Sequence, residues 1–142
     1  FNYFENASIQ EGMWGVHFTY LEPFYYILED GFSNGTTNLD QLAYTGNYEG
    51  GRGKDGWFFA LPLDSKYLKS YDMGFGDYGF LIKTDCVLVD HLGDGDREML
   101  FRGRDVIEKI PFYYDEDTEM WISHSDQAEY GTLEELIAKY AK

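Results

Sequence analysis

Along Trp14–Thr19 (WGVHFT) apolar and polar side chains alternate with period two. This predicts a short strand with Val16 and Phe18 on one face and His17 and Thr19 on the other. Leu21, Phe24, Ile27 and Leu28 then recur at helical spacing, with Pro23 suited to the first turn and Gly31 to the residue just past the end. Residues 33–56 are poor in aliphatic side chains and rich in Gly, Asn, Thr and Tyr, which predicts a long flexible loop of the functional kind. Trp57–Leu63 is an apolar strand stopped near Pro62, and Asp64 is placed to cap a short helix carrying Tyr67, Leu68 and Tyr71. Tyr78–Lys83 and Cys86–Leu92 are strand material, either two strands or one with a kink; Gly93–Asp96 is a turn and Glu98–Gly103 a strand. Arg104–Tyr114 holds one strand or two, Asp115–Glu119 is an acidic turn, and Met120–Ser123 is a last short strand. Thr132 and Glu135 form a capping box that opens a final helix, with Leu133, Leu136, Ile137 and Tyr140 directed to the core. The pattern predicts one α+β domain over 1–142, with an N-terminal extension at 1–12, the loop at 33–56 and a C-terminal helix at 131–142.

Composition narrows the function classes. The 142 residues, 44% hydrophobic and 19% aromatic, suffice for one real core and exclude a disordered acidic tail. No run has the length of a membrane span and no signal-peptide pattern opens the chain. It starts at Phe1, as a processed or shortened chain would, and its lone Cys86 fits a reducing compartment; a cytoplasmic location is the expectation. With 11 Lys and Arg against 26 Asp and Glu, the net charge is −15, which disfavours nucleic-acid binding unless basic residues are concentrated locally. Arg52 lies in a glycine-rich stretch and Arg97, Arg102 and Arg104 fall close together. Such clusters suit either a small anionic ligand or ordinary surface ion pairs.

Several motifs fail on context. Gly51, Gly53 and Gly56 match the dinucleotide fingerprint, but a loop precedes them and a strand follows where a helix N-terminus is required. Lys54 is followed by Asp55 rather than Ser or Thr, so no phosphate-binding loop is formed. The carboxylates around Asp94–Asp96 lack calcium-loop spacing, and the three histidines lie too far apart in sequence to suggest zinc; no metal is expected. Cys86 sits in an apolar run that suits a buried thiol. His17 with Thr19 is a sharper signal once Glu98 is set beside it. Glu98 opens a strand after a tight turn, with Asp96 two residues back. A carboxylate at a strand mouth can support a cation forming at a sugar carbon. The plainer alternatives are a solvated histidine and a carboxylate balancing Arg97 or Arg102.

In order, His17-Phe18-Thr19, Ile27–Phe32 (ILEDGF), Gly56–Ala60 (GWFFA) and Asp96–Leu100 (DREML) resemble the ADP-ribosyltransferase fold, in the diphtheria-toxin and PARP-like branch marked by His, Tyr and Glu. The resemblance covers Trp14 to about Pro111. It implies two small packed antiparallel or mixed sheets with two to three short helices. It also implies NAD as the substrate: His17 would hydrogen-bond the adenosine ribose with Thr19 in support, and Trp57 or Phe58 would stack on nicotinamide. Glu98 would stabilise the oxocarbenium-like transition state, and Arg52 or Lys54 would neutralise the pyrophosphate. The family's tyrosine is not matched at Trp57 or Phe58, and Tyr44 and Tyr48 in the loop are the candidate substitutes. The implied activity is mono-ADP-ribosyl transfer, with a protein as the expected acceptor, or NAD hydrolysis, as in a toxin or effector. Charge supports a different reading: a non-catalytic acidic module, of the immunity or antitoxin kind or an inactive member of the fold, masking a basic partner through Asp115–Glu119.

Overall fold

The computed structural model describes residues 7–36, 53–69, 76–90, 93 and 95–142. Seven strands are present among them: β1 (Ser8–Thr19), β2 (Trp57–Pro62), β3 (Tyr78–Val89), β4 (Glu98–Arg102), β5 (Val106–Asp115), β6 (Met120–Ser123) and β7 (Glu129–Tyr130). All pair antiparallel, in the order β1-β2-β4-β3-β5-β6-β7. Because β1 also pairs with β3, the strands β1, β2, β4 and β3 close into a ring, from which β5, β6 and β7 extend. Two α-helices accompany the sheet, α1 (Leu21–Asp30) and α2 (Leu133–Tyr140). The chain is a single small α+β domain in which sheet dominates. One continuous sheet stands where two were expected, and the cause is β3. Its twelve residues line β1 along one edge, while β5 and then β4 follow each other along the other.

Residues 8–12 belong to β1 rather than to an extension. Their polar Ser8 and Gln10 hide the strand, yet these pair with Leu88 and Cys86 across the ladder. A bulge between Gln10 and Met13 resets the register, with Gly12 at φ 59° and its N–H donating to Asp85 Oδ1 at 2.9 Å. The two faces of the sheet bury separate clusters. Phe80, Ile82, Cys86, Met99 and Phe101 lie on the face covered by Phe24 and Ile27 of α1. Val16, Leu61, Leu81, Phe112 and Trp121 lie on the other, under Leu133, Leu136 and Ile137 of α2. This is the period-two split expected of strands buried on both sides.

The C-terminal end of α1 and the N-terminal end of α2 are each fixed by a cap. Gly31 (φ 74°) takes the left-handed turn, and Ile27 O accepts from both Gly31 N and Lys109 Nζ, the latter at 2.6 Å. Thr132 Oγ1 accepts from Glu135 N at 3.1 Å, as the capping box predicts. Between β2 and β3 a 3₁₀ turn, Lys66–Lys69, replaces the short helix. Ser65, not Asp64, caps it: Ser65 Oγ accepts from Tyr67 N at 3.2 Å. Tyr71 lies outside the described residues, as do Tyr44, Tyr48 and Arg52. Among the described residues no helix is long and apolar enough to cross a membrane.

Candidate functional site

His17 is partly buried against Phe80 on the neighbouring strand, and its ring meets Phe32, Phe58 and Phe101 edge to face, with centroids 5.2, 6.1 and 6.2 Å away. Phe32 follows Gly31 at the end of α1, so the helix stop delivers an aromatic ring onto the imidazole. Gly103 makes room for that segment, since a Cβ there would collide with the carbonyl oxygen of Phe32. His17 Nδ1 lies 2.6 Å from Phe59 O. A carbonyl only accepts, so Nδ1 carries the proton in this contact. Burial among the phenyl rings pushes the imidazole pKa down to about 4, against which the Phe59 hydrogen bond acts only in part. The ring is therefore neutral near pH 7, with its lone pair on Nε2: an acceptor suited to a hydroxyl, not a cation suited to a phosphate.

The strand register divides the remaining candidates. Phe58 pairs with Phe101 and Ala60 with Met99, which places Phe58 on the His17 face. Thr19 pairs with Tyr78, is buried, and lies on the same face two residues along. Leu88 pairs with Met99 and Val89 with Glu98, so Glu98 points to the opposite face, beside Val89 and Leu100. Trp57 shares that second face and carries the Arg102 guanidinium 4.3 Å above its ring. His17 and Phe58 are thus brought together, Glu98 and Trp57 are placed on the other side, and the structure does not set His17 and Glu98 in one cleft. Glu98 is 1% exposed. Asp96 is engaged by the 3₁₀ turn, accepting from Ser65 Oγ at 2.8 Å and Lys66 N at 3.3 Å. An open cleft of about 310 Å³ adjoins this end of β4, lined by Met13, Pro62, Asp64, Leu88, Asp96 and Arg97 among others.

Two arginines of the cluster are spent on structure, while Arg97 lines the cleft. Arg104 bridges Asp55 at 3.0 Å, and Arg102 covers Trp57. Two lysines instead gather beside the end of α1. Lys54 lies against Gly31, and its charge, together with the larger effect of burial, holds the Lys109 pKa below the ordinary lysine value. Lys109 has no local sequence signal; its pairing opposite Ile82 on β3 brings it there. Cys86 is buried, its thiol pushed up to about 11 by burial first and Asp85 second. No family model, curated protein or solved structure matches the chain.

Proposed function

We propose that the chain acts on NAD, as a mono-ADP-ribosyltransferase or an NAD glycohydrolase. The observation that carries the reading is an adjacency that local sequence does not dictate. The strands bearing HFT, GWFFA and DREML are consecutive neighbours, β1-β2-β4, and the phenylalanine of ILEDGF touches His17. The neutral His17, with Nε2 as acceptor, suits a ribose hydroxyl, and Lys54 and Lys109 provide positive charge on the α1 side. Glu98 is the carboxylate for the cation that forms as the C1′–N bond breaks. Nicotinamide leaves with the bonding pair and becomes neutral. A protein nucleophile or water then bonds to the anomeric carbon and releases a proton.

The opposed facing of His17 and Glu98 counts against one continuous cleft. Glu98, the first residue of β4, is also buried, so its role in this reading rests on the resemblance alone. The two residues are therefore tested apart. Wild-type protein is expected to release nicotinamide from NAD, and Glu98→Gln to lose about two orders of magnitude in kcat. His17→Asn is expected to raise KM with a smaller change in kcat. If the wild type neither releases nicotinamide nor shifts its melting temperature with NAD, the proposal fails.

The second reading, a non-catalytic acidic module, is favoured by a different observation. Glu116, Asp117 and Glu119 project as an exposed acidic turn from a chain of net charge −15. Stoichiometric capture of one basic protein without NAD turnover supports it.

A further inference from the structure

The exposed face of α1 carries Tyr25 and Tyr26 among carboxylates, and Tyr20 is its N-cap. Tyr20, Tyr25 and Tyr26 are 64%, 51% and 62% exposed, and Leu21 lies one turn before Tyr25. Beneath them the buried Phe24 ring touches Tyr25 at 5.6 Å, Tyr78 at 5.0 Å and His124 at 5.6 Å. Tyr113 continues the surface, 6.1 Å from Tyr78 and 6.3 Å from His124. The aromatic surface thus runs from α1 across β3 and β5 to the end of β6. Carboxylates flank it: Glu22, Glu29 and Asp30 are exposed on α1, and Asp77 is near enough to raise the Tyr78 pKa, an effect to which burial contributes most.

Tyrosine on a surface supplies large, rigid contact area with a polar tip and is enriched at binding hot spots. Exposed π-faces set among carboxylates select for guanidinium groups, which stack on a ring while bonding an acid. We propose that this α1–β3–β5 surface is a docking site for an arginine-rich protein segment. The occupant follows from charge complementarity: with net charge −15, a second acidic copy and a nucleic acid are both repelled. The inference rests on the second reading only in taking the partner to be basic, and it is independent of NAD turnover.

The test measures binding of an arginine-rich peptide, and of a lysine peptide of equal charge, at about 150 mM salt. Three forms of the chain are compared: wild type, Tyr25→Ser/Tyr26→Ser, and Glu116→Gln/Asp117→Asn. Both tyrosines are exposed, so the first variant is expected to melt with the wild type, which the same samples check by circular dichroism. Expected is arginine preferred over lysine by about fivefold, affinity about tenfold weaker in the tyrosine variant, and less than threefold weaker in the acidic-turn variant. Equal binding by the tyrosine variant and wild type overturns the assigned surface while leaving a basic partner in place. Failure of the wild type to bind either peptide, even at low salt, removes the basic partner and the surface together. Sedimentation showing a dimer that the tyrosine substitutions dissolve makes the occupant a second copy and likewise overturns the proposal.

Discussion

His17 is where the physical argument is sharpest at the scale of one residue. The folded chain keeps the imidazole neutral down to about pH 4, whereas an exposed histidine takes up its proton near 6.5. The unfolded state binds the proton first, so this contribution to stability is fully present above about pH 6.5 and is lost as the pH falls towards 4. Its size over that interval is at most about 3 kcal/mol. Urea unfolding followed from pH 7 to 4.5 is expected to show a declining free energy in wild type and a flatter profile in His17→Gln. An unchanged profile in the variant would place the pH dependence elsewhere. Cys86 gives a companion test. With the thiol buried and its pKa near 11, labelling by a thiol reagent at pH 8 is expected only at the rate of unfolding, and 6 M guanidinium should make it immediate.

At the scale of elements, the end of α1 positions the ring that packs on His17. Lys109 holds the Ile27 carbonyl from across the sheet, and Gly103 admits the Phe32 backbone. Gly103→Ala is expected to destabilise by about 2 kcal/mol or more, with Lys109→Met milder; denaturant midpoints would rank them. Thr132→Ala should cost about 1 kcal/mol by removing the cap on α2. These elements also mark how far local pattern reaches. The α1 stop, the Thr132 cap and Met120–Ser123 were legible because each is written within a few neighbouring residues. Ser8–Gly12 was not, because its polar residues become strand only through distant partners on β3. Nor was β7, two residues that pair with β6 and meet Tyr140 of α2 through Tyr130. The alternation of Val16, His17 and Phe18 gave the faces of β1 but could not relate them to β4. A one-residue difference in register decides whether Glu98 or Met99 faces His17, and only the ladder through β2 and β3 fixes it.

At the scale of the whole molecule, the excess of carboxylates acts against the compact state. A net charge of −15 on one small domain is self-repulsive, and Arg104, one of the few cations, is engaged by Asp55. Salt screens that repulsion without altering the protonation of His17 when pH is held fixed. Raising sodium chloride from about 0.01 to 0.5 M at pH 7 shortens the screening length from roughly 30 Å to a few ångströms, so the melting temperature is expected to rise by several degrees. The exposed turn after β5 offers a local version of the same effect. Asp117→Asn should raise the melting temperature at low salt, and the gain should fade as salt is added. A melting temperature that falls with salt would mean that favourable ion pairs, not net repulsion, dominate the surface.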